Sequence, residues 1–109
     1  MSDCIFCNIA AGTAPADICY QDDLMVCFSD IMPKEKIHKL LIPRLHLESL
    51  EDFRQEHDQL LAAMMRKVPE IAHGLGLQSG FRTIIHTGPD GGQIVPHFHI
   101  HLRGGGAVD

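Results

Sequence analysis

The chain has 109 residues, 45% of them hydrophobic, 21% charged and 6% aromatic, with no Trp and a formal net charge of −5 from 14 acidic and 9 basic side chains. That length supports one domain, residues 1–109, which can bury roughly 65% of its unfolded surface. The acidic balance excludes a protein that holds nucleic acid by bulk charge, and no apolar run approaches the roughly 18 residues a bilayer span requires, so neither nucleic acid nor membrane is an expected partner.

The start, Met1-Ser2-Asp3-Cys4, lacks the basic and apolar regions of a secretory signal, so a cytoplasmic location with reduced thiols is expected. Apolar residues Ile5, Phe6, Ile9 and Ala10 then lie on one helical face, and Gly12-Thr13-Ala14-Pro15 stops that helix. Two short strands follow, 17–21 and 24–29, divided by the turn Asp22-Asp23. Cys19 and Cys27 lie in these apolar runs and are expected to be small buried hydrophobes. Asp30 opens a loop, and 38–43 reads as a third strand.

From Ser49 the period changes. Leu50, Phe53, His57, Leu60, Met64, Val68, Ile71 and Leu75 step by three or four, an amphipathic helix with Ser49 as N-cap. Pro69 inside the pattern is expected to kink or divide it, and Gly74 and Gly76 end it. A strand over 81–86, a glycine-rich loop over 87–92 and a final strand from about 94 to 103 complete an α+β domain with an antiparallel sheet.

Eight histidines, against nine Lys and Arg together, ask for a site. In His97-Phe98-His99-Ile100-His101-Leu102 the three imidazoles share one strand face and the apolar residues share the other. With neighbouring Cα atoms on a face roughly 6.6–6.8 Å apart, all three rings cannot chelate one ion from an unbent strand, whereas an i, i+2 pair can. Three readings follow: a half-exposed strand that happens to carry His, a His pair in a metal site, or imidazole chemistry with one ring as nucleophile or base. The preceding loop, Thr87-Gly88-Pro89-Asp90-Gly91-Gly92-Gln93, favours the last. Its glycines let backbone N–H groups approach an anion, and Gln93 adds a side-chain donor.

The run Gly91-Gly92-Gln93-x-Val95-x-His97-x-His99-x-His101 resembles the signature of the histidine-triad superfamily of nucleotide hydrolases and transferases. Tyr20-Gln21-Asp22-Asp23, Phe28-x-Asp30-Ile31 and His38-x-x-Leu41-Ile42-Pro43 resemble segments of its nucleotide-binding, phosphoramidase-like branch. The resemblance implies a five-stranded antiparallel sheet with one long helix and a short N-terminal helix, usually in a homodimer, and a site for a purine nucleotide such as AMP. It implies His99 as the nucleophile at the α-phosphate of nucleoside phosphoramidates or related conjugates, through a nucleotidyl-histidine intermediate. His101, His97 and His38 complete the catalytic set, with no cofactor needed for the chemistry. It implies Asp30 at the ribose, Ile5, Phe6, Ile9, Phe28 and Ile31 around the base, and His86, Gly92, Gln93 and Ile94 near the phosphate. A dinucleoside polyphosphate hydrolase and a nucleotide-binding regulatory module with vestigial catalysis are the other readings.

Four features depart from that branch. Ile94 stands where a serine or other phosphate-facing residue is common, His86 where an Asn is usual, and Ser29 where a bulkier residue flanks the ribose Asp. The sequence also ends soon after Gly104-Gly105-Gly106, without the longer segment that shapes leaving-group choice in many relatives.

Cys4-x-x-Cys7 suits a tetrahedral zinc but supplies only two ligands, with His46 and one triad histidine as candidate partners. The resemblance implies a structural zinc on Cys4, Cys7, His46 and His97. His57 and His73 fall in the long helix, outside any motif.

Overall fold

A computed structural model describes residues 2–107; positions 1, 108 and 109 of the expected domain lie outside the described residues. Helix α1, Ile5–Ala11, begins at Cys4, whose thiol accepts the Cys7 N–H, and stops at Gly12, whose φ of +80° suits glycine. Strands β1 (Ile18–Gln21) and β2 (Met25–Ser29) are joined through Asp22, whose Oδ1 accepts the N–H groups of Leu24 and Met25. With β3 (Ile37–Pro43), β4 (Arg82–Ile84) and β5 (Ile100–Gly104) they form an antiparallel sheet ordered β1-β2-β3-β5-β4. This is the expected α+β architecture.

The sheet is covered on both faces, and strand alternation assigns each residue to one of them. Leu41, Ile100 and Leu102 pack with Met64, Val68, Ile71 and Ala72 of α2 (Asp58–Gly74), together with Phe98. Leu40, Ile42, Val26 and Phe28 pack on the other side against Phe6 and Ile9 of α1. No helix among the described residues is long and apolar enough to cross a membrane.

Three expectations need correction. The long helix does not start at Ser49: Ser49 caps a 3-10 turn over Leu50–Asp52, a second turn spans Gln55–His57, and α2 begins at Asp58. The extended backbone of Phe53 between the turns lets its ring meet Phe98 at 4.7 Å between centroids, so tertiary packing overrides the helical period there. Pro69 does not divide α2. Its ring lies on the exposed side, and the carbonyl its missing N–H releases belongs to Met65, a residue 42% exposed, where water can serve it. Cys19 is exposed: its thiol lies beside that of buried Cys27, but β1 is the edge strand of the sheet and nothing among the described residues packs over it there.

Candidate active site

The histidine run is not one straight strand. Only His101 lies within β5, and the residues before Ile100 follow an irregular, bent path. Pro96 causes the bend: it cannot donate to a ladder, and the His97 N–H closes a tight turn onto the Val95 carbonyl at 2.9 Å. The next N–H, of Phe98, leaves the sheet for Leu47 O at 2.7 Å. The shared face therefore splits. His97 is fully buried and turned toward the N-terminal cysteines, while His99 and His101 stay together with ring centroids 5.0 Å apart.

Hydrogen bonds assign the tautomers, because a carbonyl can only accept. His99 donates from Nδ1 to His97 O at 2.7 Å, which leaves Nε2 of a neutral ring as a free lone pair. His38 accepts the Lys34 N–H at Nδ1, 3.0 Å away, so its hydrogen sits on Nε2 and donates to His101 Nδ1 at 2.9 Å. Asp30 Oδ2 lies 3.3 Å from the same His38 Nε2, and Asp30 Oδ1 accepts the Met32 N–H. His101 thus carries its own hydrogen on Nε2.

The rings are held neutral. Burial pulls His38, His99 and His101 below the ordinary imidazole value. His101 falls furthest, to about 4, because His99, His38 and His86 add to the effect of burial. An unprotonated imidazole with a directed lone pair can attack an electrophile near pH 7.

These groups open into a cavity of about 930 Å³, within the range that takes a small ligand. Ile5, Phe6, Ile9 and Phe28 form its apolar wall, and Phe6 stands edge-on to His99 at 5.2 Å. Ile31 and Ile94 also line it, but at 92% and 91% exposure they form its rim rather than its wall. His86 and Gly92 line the cavity where the glycine-rich loop borders it, with the His86 ring centroid 5.0 Å from that of His101. Gln93 does not reach the cavity. Its amide donates to Glu48 O and Val95 O and accepts the Gly88 N–H, so it braces the glycine-rich loop.

His97 likewise does not reach the cavity. Its Nε2–H donates to Pro43 O at 2.9 Å, so its Nδ1 lone pair faces Cys4 Sγ at 3.3 Å, Cys7 Sγ at 3.5 Å and His46 Nδ1 at 3.2 Å. The four donor atoms lie within 4.8 Å of one another. Tetrahedral zinc with bonds of about 2.0–2.3 Å places its ligands roughly 3.3–3.8 Å apart, so this soft, mixed N/S set fits that ion. Asp30, His38 and His101 also converge, but His38 and His101 are already joined by a hydrogen bond.

Pattern reading missed Lys34 and Arg103, which line the cavity, and the backbone groups that orient the rings. The signal for Arg103 is the strand alternation itself: two residues beyond His101, it continues the same face.

A five-stranded sheet with a neutral imidazole pair at the end of a glycine-rich loop defines a class, and known proteins of that class resemble this chain. The family model described as "Scavenger mRNA decapping enzyme C-term binding" matches residues 3–106. The chain is 54% identical over 104 residues to protein HitA of Neisseria gonorrhoeae, covering 95% of this chain and 97% of that one. It is 41% identical over 102 residues to the purine nucleoside phosphoramidase of Escherichia coli strain K12, covering 93% and 86%. A HIT family hydrolase from Legionella pneumophila superposes with a TM-score of 0.92 at 36% identity, covering 94% and 93% of the two chains. A histidine triad protein from Clostridium difficile gives 0.93 at 36% identity, covering 100% and 96%. The chain belongs to the histidine-triad family.

Proposed function

We propose that the protein is a nucleotide hydrolase that cleaves the α-phosphate bond of purine nucleoside phosphoramidates or related nucleotidyl conjugates. The observation that carries this reading is the free Nε2 lone pair of His99, set by the bond from Nδ1 to His97 O and opening into the cavity. The base lies against Phe6, Ile9 and Phe28, and the ribose hydroxyls meet Asp30. His99 Nε2 attacks the α-phosphorus and forms a P–N bond as the bond to the substrate's amine breaks. The N-protonated amine leaves as neutral amine. The positive charge left on the His99 ring is held by the His97 carbonyl at Nδ1. His101 donates from Nε2 to a phosphate oxygen, and His38 fixes the His101 tautomer. Water then attacks phosphorus, releases AMP and its proton, and returns His99 to the neutral form.

Cys4, Cys7, His46 and His97 hold a zinc ion in this reading. Its role is structural: bonded to ligands on α1 and on both chain segments behind the site, it closes α1 onto the sheet. A homodimer also belongs to the proposal, with β1 and β4 as the open edges at which two sheets can join.

The test is hydrolysis of adenosine 5′-phosphoramidate by zinc-loaded wild type and His99→Ala, with no metal added to the assay. Wild-type turnover that the substitution abolishes is the expected result. Turnover that survives it overturns the nucleophile assignment, and nucleotide binding without any turnover favours the regulatory-module reading.

A further inference from the structure

The row of functional side chains on β5 continues beyond the triad. Arg103 shares its strand face with His101, stands opposite His38 in the β3–β5 register and lines the same cavity. Its charge is only partly answered. Nε lies 3.2 Å from Glu35 Oε1 yet is buried without a hydrogen-bond partner. That same oxygen already accepts from Nε and Nη2 of Arg82, so one carboxylate serves two guanidiniums. Lys34 lines the cavity from the preceding loop and forms no ion pair among the described residues.

Among the described residues, neither carboxylate that lines the cavity is ion-paired with these cations. Asp30 is engaged by His38 and the Met32 N–H, and Asp17 accepts from Ser29 Oγ at the β1 side. A chain of net charge −5 thus lines its cavity with two cations, Arg103 on the strand face beyond His101 and Lys34 from the loop, its backbone N–H bonded to His38. In the nucleotidyl-transfer reading the nucleobase takes the apolar wall, which leaves the side of the cavity beyond His101 for the group that departs from phosphorus.

We propose that Arg103 and Lys34 form a leaving-group subsite that selects nucleotidyl conjugates whose leaving amine carries an anionic group, a carboxylate or a phosphate. This rests on the nucleotidyl-transfer reading above and supplies its missing half, the class of leaving group. The bond chemistry is unchanged: the amine departs with the proton on its nitrogen, while its anionic group stays paired with the guanidinium.

The test uses four adenosine 5′-phosphoramidates substituted on nitrogen by aspartate, phosphoethanolamine, alanine amide or lysine amide. The readout is the ratio of kcat/KM for each anionic conjugate to that for the lysine amide, taken on one protein so that general damage cancels. Wild type is expected to favour the anionic conjugates by roughly tenfold or more, a close charge pair in a partly desolvated site being worth at least that. Arg103→Gln should bring the ratio close to unity and Lys34→Gln part of the way, while Lys36→Gln, outside the cavity, leaves it unchanged. Lys34 is exposed, so its variant keeps the test meaningful if Arg103→Gln does not fold. A larger gain for aspartate assigns a carboxylate, and one for phosphoethanolamine a phosphate. Wild type that hydrolyses the neutral conjugate without discriminating by charge overturns the subsite. So does a preference that both variants retain. Failure of wild type on all four, the neutral one included, overturns the transfer reading itself.

Discussion

The carbonyl oxygen of His97 accepts a hydrogen bond from Nδ1 of His99 at 2.7 Å, while the His97 ring faces two thiols and His46 on the other side of the backbone. One residue therefore belongs to two centres. Its side chain serves the N-terminal cluster, and its main chain sets the tautomer of the proposed nucleophile. Helix α1 repeats the link, since Cys4 and Cys7 bracket Phe6, which packs edge-on to both His97 and His99.

Freshly purified, chelator-free protein should therefore contain close to one zinc per chain by elemental analysis. Cys4→Ser or Cys7→Ser should lower zinc content and reduce the melting temperature by roughly 10 °C or more, as expected for a domain that loses several kcal/mol of metal-linked stability. AMP affinity should fall with it, because α1 carries part of the apolar wall. Wild-type metal content well below one, with full stability, contradicts the zinc assignment.

In the proposed mechanism His38 acts through His101. Replacing it by Phe removes the Nε2–H donor at 2.9 Å and frees His101 to adopt the other tautomer. The expected loss is about 10- to 100-fold in kcat, with AMP binding little changed by equilibrium titration. An unchanged kcat would show that His101 keeps its tautomer unaided.

Stability should depend on pH in a defined window. His101 titrates at about 4 in the folded protein and near the ordinary 6.5 when unfolded. The unfolded chain then binds more protons between those values, so stability is full above about 6.5 and declines as pH falls toward 4. The expected decline attributable to His101 is on the order of 1–3 kcal/mol, seen as a shift in urea midpoint that His101→Gln reduces. A midpoint in wild type that rises on acidification through this range contradicts the neutral, buried ring.

Phe98 anchors the bent segment from the core side. It is 1% exposed, meets Phe53 at 4.7 Å, and its N–H bonds Leu47 O. Phe98→Ala should cost about 3–5 kcal/mol by chemical denaturation, and activity should fall beyond the stability loss because His97 and His99 flank it.

Most of the framework was legible because its elements carry unambiguous periods. The alternation through Leu40–Ile42 and Ile100–Leu102 and the three-and-four spacing from Leu60 to Ile71 both follow from burial on a sheet face or helix stripe. The histidines do not form one strand because Pro96, which cannot donate to a ladder, opens the bend that turns the His97 ring away from that of His99. The cysteine–histidine set could be assembled only by resemblance, since nothing in the spacing of Cys7, His46 and His97 says that the chain brings them together. Gln93 was misplaced for a related reason: a donor beside a glycine loop serves the loop as readily as a ligand, and only the positions of Glu48 and Val95 decide which. Arg103 carries no motif of its own, and only its place two residues beyond His101 on the strand face marks it as a cavity residue.

The most direct test of the central claim is rapid quenching of the enzyme with adenosine 5′-phosphoramidate, followed by peptide mapping in a mass spectrometer. The expected result is a transient AMP adduct on His99 whose rise and decay match turnover and which His99→Ala does not form. Steady turnover with no adduct, or an adduct on His101 or His86 instead, would contradict His99 as the nucleophile.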